Sequence, residues 1–520
     1  MNPCLLLKKR PEMTLEISKT YDAELTNHDL MPVPAGGRTW SVLNFMALWI
    51  GMCICIPSYM IASSLIEGGM NVIQALLTVF LGNVIVLIPM ILNGHVGVKY
   101  GIPFPIYARL SFGVKGANIP AVLRAIVACG WFGIQCWIGG TAIFTMLSAV
   151  WPEANHLPTI LPAFMGVKLL PFLCFLAFWS INLLLIHKGI ESIKKLETFC
   201  APVLILSGIG LLMWAGQAAG GFAGMLSAPS KFKTSAEFWA FFIPSLTGMV
   251  GYWATLSLNI PDFTRYAKDQ RAQILGQTLG LPTTMTLIAF IGVAVTSASF
   301  GIFGERIWDP ITLVGKFENP VIIFTAMLLI CVATLAMNVA ANVVAPANDF
   351  ANLAPSKIDF KRGGTLTAII GLFIMPWKLI ADPSGYIFTW LVGYSALLGP
   401  VAGILLADYF LVRRSHVVVD DLYSMQGLYT YQNGYNLIAL IALAAGVLLN
   451  LPGFLIQIKV LNTAAVPDFF NQLYHYAWFV GLTVSALIYI ALMKAQPKPL
   501  TTAQPLPEPI EIVEIANAGD

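Results

Sequence analysis

Twelve stretches of about 20 mostly apolar residues recur along the chain, each long enough to cross the hydrocarbon core of a bilayer as a helix. They fall near residues 42–65, 72–92, 119–150, 170–186, 199–218 and 236–258 in the first half. The second half continues with 279–300, 321–344, 364–380, 386–411, 435–451 and 476–493. One such stretch fits a buried core helix as well as a membrane span, but a dozen do not. Inside lipid every backbone N–H and C=O must be satisfied within the protein, and at this segment length the helix does so. The composition agrees, with 57% hydrophobic and 11% charged residues against about 25% charged in a soluble domain. The deficit of charge runs the whole length, which excludes a single anchored soluble domain. A net charge of +3 gives no reason to expect a nucleic-acid partner; the expected partners are a small molecule and the lipid bilayer, with a monomer sufficient.

The positions of Lys and Arg orient the segments, because cytoplasmic loops carry the excess. With the N-terminus inside, 21 of the 29 basic residues fall on the inner side, including Lys8, Arg38, Lys99, Arg109, Lys188, Arg265, Lys361, Arg413 and Lys494. Only Lys168, Lys231, Lys233, Arg306, Lys316 and Lys459 fall outside, while Arg124 and Lys378 lie within spans. This predicts a multi-pass protein of the cytoplasmic (inner) membrane with both termini in the cytoplasm. The domains expected are a cytoplasmic tail at 1–41, a transmembrane unit at 42–493 and a disordered acidic tail at 494–520. No apolar h-region follows Lys8, Lys9 and Arg10, so no cleaved signal peptide is expected. Cys53, Cys55, Cys129, Cys136, Cys174, Cys200 and Cys331 lie in or beside apolar runs, as packing residues rather than disulfides. Cys53 and Cys55 have no second pair to complete a metal site, so no metal or cofactor is expected.

Two spans read as broken. The first carries Gly51 and Pro57, and the sixth carries Gly248 and Gly251 before Pro261. Unwound backbone at membrane depth is tolerated where it lines a cavity, and paired broken helices in two halves point to a transporter binding site. Spans one and six open successive groups of five, at about 42–218 and 236–411, the spacing of an inverted repeat, with two further helices at about 435–493. The zinc motif and nucleophile elbow of hydrolases are missing from the sequence, so no enzyme is expected. Polar groups do sit mid-span: Trp131 and Gln135 share a face of the third helix, as do Asn338 and Asn342 of the eighth, and Trp253 follows Tyr252 in the sixth. Any one amide is accounted for by an interhelical hydrogen bond. Together, flat rings and amides suit a planar ring with an N–H beside a C=O, and no buried acid, base or histidine presents itself in the core spans.

At these residues the chain resembles the nucleobase–cation symport family one, which includes hydantoin, allantoin and uracil permeases. The resemblance runs from Arg38 to Met493 through Gly101-Ile102-Pro103-Phe104-Pro105, Trp131-Phe132-Gly133-Ile134-Gln135, Asn259-Ile260-Pro261-Asp262-Phe263-Thr264-Arg265, Leu398-Gly399-Pro400 and Ala407-Asp408-Tyr409-Phe410. It implies an all-α, LeuT-type five-plus-five inverted repeat with two extra helices, working by alternating access. By motif, the substrate would stack between Trp131 and Trp253, with Gln135 and Asn342 bonding its edge and Cys55 and Tyr252 lining the break. Cys55 stands where relatives often carry Gln or Asn. The sodium positions of the family match Gly51, Ile54, Ala333, Ala336 and Met337, and the last two cannot supply a hydroxyl oxygen. Proton coupling, or none, is therefore expected rather than sodium coupling. The substrate class implied is uracil, allantoin or a hydantoin. An amino-acid or amine permease of the same fold and a non-transporting membrane sensor are the competing readings.

Overall fold

The computed structural model describes residues 21–158, 161–188 and 205–496. The expectations for the tail residues before 21, for Cys4, Lys194, Lys195 and Cys200, and for the acidic tail after 496 lie outside them. Regular structure among the described residues is helical, apart from isolated bridges at Trp40–Ala267 and Gln432–Tyr435.

The first span is two helices, α1 (Val42–Cys53) and α2 (Ile56–Glu67), bent by 62° at the join. Then come α3 (Val72–Tyr100), the short inner-loop helix α4 (Phe104–Phe112) and α5 (Asn118–Val150). The first half closes with α6 (Leu169–Lys188) and α7 (Ile205–Ala218). The sixth span is also divided, into α8 (Ser235–Tyr252) and α9 (Ala254–Asn259). It is followed by α10 (Gln270–Phe303), the short α11 (Pro310–Gly315), α12 (Pro320–Asn342) and its continuation α13 (Val344–Leu353). The chain ends with α14 (Phe360–Phe373), α15 (Gly385–Val412), α16 (Leu437–Gln457) and α17 (Ala477–Ala495).

All twelve expected spans have a helix in place, with the fifth described from Ile205 onward. The largest departure in length is the ninth. A stretch at 364–380 was expected, yet α14 stops at Phe373 because Met375 takes a left-handed backbone (φ 55°) ahead of Pro376. Pro376 brings no N–H to continue the ladder. At the other extreme α3 continues to Tyr100, eight residues past the apolar stretch, until Gly101 closes it at φ 74°.

The helix α5 is the axle of the bundle, buried along most of its length, whereas α6, α16 and α17 turn much of their surface to lipid. Lipid tails give helices no hydrophobic reason to associate, so close van der Waals approach decides the packing. Gly133 of α5 shows it: a Cβ there would lie 2.4 Å from the Gly371 carbonyl oxygen of α14.

The described N-terminal segment is woven into the face that carries α4. Trp40 N–H donates to the Tyr266 carbonyl (2.8 Å) and Lys268 N–H to Trp40 (3.0 Å). On the same face Arg109 of α4 is fully buried and donates to Leu25 O, Leu422 O and Asn352 Oδ1 at 2.7–2.9 Å. Burial pulls its guanidinium down to about 10. Three segments far apart in sequence therefore meet on one side chain.

A candidate substrate site at paired helix breaks

In the first break Ile54 and Cys55 leave the helix (φ/ψ −84°/82° and −149°/163°), and Pro57 sits in the first turn of α2. Proline cannot donate to the carbonyl four residues back, so Cys53 O accepts from Cys55 N instead, at 3.0 Å. Pro57 thus opens the break, and Gly51 stands a turn before it within α1. In the sixth span the break falls at Trp253 (φ −102°, ψ 7°), beyond both expected glycines. Those glycines serve contact: a Cβ on Gly251 would lie 2.1 Å from Ser395 Oγ and 2.9 Å from Leu391 O of α15.

The eighth span holds a third break, which sequence reasoning missed. Between α12 and α13, Val343 is distorted (φ −116°, ψ −45°). The signal was Pro346, which has no N–H to offer the Asn342 carbonyl.

Polar contacts tie the first two breaks together. Ser58 Oγ and Tyr252 Oη share a hydrogen bond of 2.9 Å, and Cys55 Sγ lies 3.2 Å from Ser58 Oγ and 3.6 Å from Tyr252 Oη. Tyr386 Oη donates to Pro57 O at 3.3 Å. The Trp131 ring meets Tyr252, Trp390, Tyr386 and Tyr394 edge-on, with centroids 5.2, 5.9, 6.2 and 6.4 Å away. Trp253 is packed edge-on against Trp49 (5.2 Å) and Tyr252 (4.9 Å). Tyr252 therefore touches both tryptophans, which are themselves 6% and 4% exposed.

The amides divide into two kinds. Asn338 is saturated: its Nδ2 lies within reach of Asn182 Oδ1 (3.1 Å), Phe132 O (3.3 Å) and Cys136 Sγ (3.4 Å), and its Oδ1 accepts from Asn342 Nδ2 (3.0 Å). Asn342, the last residue of α12, keeps its own Oδ1 unpartnered among the described residues. Gln135 Oε1 and Trp253 Nε1 are buried with no hydrogen-bond partner among the described residues. A buried group left unpaired costs about 1–3 kcal/mol, so such atoms are where a ligand's polar edge gains most.

A cavity of about 900 Å³ reaches this region from the other side of the first span, lined by Cys55, Tyr59, Trp214, Ile291 and Phe303 and running out to Val321 and Ile322. Trp131, Gln135, Trp253 and Asn342 do not line it. With all four buried, the centre is occluded in this structure.

At the family's sodium positions, Ala333 and Ala336 pack with Val332 in a small apolar cluster, and Met337 is buried beside them. A hard cation wants oxygen ligands, and these side chains bring none. The neighbouring Thr334 hydroxyl is buried without a partner.

The reading that no buried acid presents itself in the core needs correction. Asp349 of α13 is 0% exposed and pairs with Arg124 of α5, itself 1% exposed, at 3.1 Å. Asp349 Oδ1 and Arg124 Nε have no partner among the described residues. Asp408 pairs with Arg413 at 3.0 Å, and Asp262 accepts from Phe104 N (2.8 Å) and Asn259 Nδ2 (3.4 Å). Among the described residues these cysteines, Cys53 to Cys331, are free and buried, and no cluster of metal-ligating side chains occurs.

Comparison with known proteins matches residues 32–481 to the family described as permease for cytosine/purines, uracil, thiamine and allantoin. A purine-uracil permease of Arabidopsis thaliana is 45% identical over 475 residues, covering 91% of this chain and 78% of that protein. The allantoin permease of Bacillus subtilis is 43% identical over 490 residues, covering 93% and 96%. Among solved structures, the inward-facing conformation of Mhp1 superposes with a TM-score of 0.74 at 25% identity, covering 93% of this chain and 97% of that one. The closed form of the same transporter with bromovinylhydantoin bound gives 0.72.

Proposed function

The chain belongs to the permease family for cytosine/purines, uracil, thiamine and allantoin, and from that premise we propose that it imports a small neutral heterocycle such as allantoin, uracil or a hydantoin. The observation that carries this is the unpaired, buried Gln135 Oε1 one helical turn from Trp131. A lactam or ureide N–H satisfies that oxygen while its ring lies against indole. Trp131, Trp253, Gln135 and Asn342 are the proposed substrate residues, with Cys55 and Tyr252 at the break. Asn338 acts one step back, by holding Asn342.

An amine permease would want an acid at the centre, but the buried acids are committed to Arg124, Arg413 and Phe104 N. The lack of a side-chain oxygen at Ala336 and Met337 favours proton coupling or none over sodium coupling. Asp349 is the residue we assign to proton exchange, because its second oxygen is unpartnered. We assign the basic face with Arg109 and Arg265, together with both termini, to the cytoplasmic side of the inner membrane, on the excess of Lys and Arg in the loops of that side. The protein carries solute rather than transforming it.

The test is uptake of labelled allantoin, uracil and benzylhydantoin by cells lacking their own permeases. Saturable uptake of one, unaffected by sodium and collapsed by a protonophore, is expected. Uptake that rises steeply with sodium sinks the coupling proposal, and no uptake of any of the three sinks the substrate class.

A further inference from the structure

A second, smaller cavity of about 150 Å³ lies on the face opposite Arg109, bounded by Met60 of α2, Trp137 and Thr141 of α5, Trp308, Asp309 and Thr312, and the turn at Ile380 and Ala381. Nothing in the central site uses it. Trp137 lies six residues beyond Trp131 on α5, about 9 Å along the axis. The two levels are joined by rings: Trp308 lies 6.0 Å from Tyr386 at 34°, and Tyr386 lies 6.2 Å from Trp131.

The polar groups around this cavity are acceptors with capacity to spare. Asp309 accepts from Ile311 N, Thr312 N and Thr312 Oγ1, at 3.1, 3.1 and 2.5 Å. A carboxylate has about four acceptor positions, so one remains. Thr141 Oγ1 donates to Trp137 O (2.9 Å) and keeps its lone pairs. Drug-sized sites start at about 300 Å³, so this one admits a single small ring.

Resting on the transport reading above, we propose that this cavity is an outer subsite. There a neutral heterocycle lies against the face of Trp308, donates an N–H to Asp309 or Thr141, and then passes Tyr386 to reach Trp131. Four separate parts of the chain wall the cavity, so it is shaped where the two repeats meet and changes as they move.

The experiment compares Trp308→Ala and Thr141→Val with wild type, using labelled allantoin and uracil. Initial uptake at low concentration is read beside equilibrium binding to the purified protein. A stepping-stone speeds arrival without changing the final bound state. The expected result is therefore an association rate and low-concentration uptake about fivefold lower in Trp308→Ala, with central affinity held within about twofold. The hydroxyl variant, which leaves the ring packing alone, should show a smaller loss of the same form. If affinity falls in step with the rate, Trp308 merely braces Tyr386 and the subsite is overturned. Unchanged rates in both variants overturn it too, while saturable wild-type uptake leaves the transport reading standing. If wild type takes up neither compound, the transport reading fails and the subsite falls with it.

Discussion

Gln135 and Asn342 carry the same functional group as Asn338, yet only Asn338 has both ends of its amide occupied. Sequence spacing placed Asn338 and Asn342 on one face and could not divide their roles, because the division depends on Asn182 of α6, 156 positions away. Stacking of a ring on an aromatic side chain is worth about 1–3 kcal/mol. Trp131→Ala is thus expected to weaken heterocycle binding by roughly tenfold to hundredfold, read by equilibrium binding in detergent. Asn338→Ala should damage binding only through Asn342, so the double variant with Asn342→Ala should be little worse than Asn342→Ala alone. Asp349 escaped the sequence reading because it follows the apolar run at 321–344. Asp349→Asn keeps a hydrogen-bonding group against Arg124 while removing the charge. We expect it to bind substrate but to lose accumulation driven by a proton gradient, and accumulation at the wild-type level would rule Asp349 out.

At the scale of elements, hydrophobic length was the legible quantity. It located a helix at each of the twelve stretches, eight of them, among the described residues, long and apolar enough to cross a bilayer unbroken. It could not locate their ends, since those follow local stereochemistry such as the left-handed Met375 before Pro376. Gly51 and Pro57 flagged the first break within a few residues, while Gly248 and Gly251 flagged the sixth for a reason that proved different. Their bareness admits α15, so Gly251→Val should push α8 off Leu391 and Ser395. Overpacking typically costs about 1–3 kcal/mol. The expected outcome is reduced thermal stability together with loss of uptake, and normal uptake in that variant would argue that the contact is dispensable. Pro346→Ala should act oppositely on stability, by returning an N–H to the Asn342 carbonyl, while slowing turnover if that break has to flex.

For the whole molecule, one face is fastened by charge. The Arg109 face is laced by charge-assisted hydrogen bonds to three distant segments, and burial with the nearby Asp420 pushes Tyr21 on that face up to about 12. Hydrogen bonds to charged groups contribute about 1.5–3 kcal/mol each. Arg109→Ala should accordingly unlatch this face and shift the population toward its open form, measurable as faster cysteine labelling at Leu422→Cys, which keeps the backbone carbonyl that accepts from Arg109. The large cavity running from Val321 and Ile322 to Cys55 gives that thiol two unequal routes to the outside. A neutral, oil-soluble maleimide can arrive sideways through the greasy channel at any time. A permanently charged methanethiosulfonate cannot enter hydrocarbon and must wait for the halves to part. In a variant whose sole cysteine is Cys55, the first reagent counts molecules and the second counts openings, so their ratio is a clock for the transport cycle.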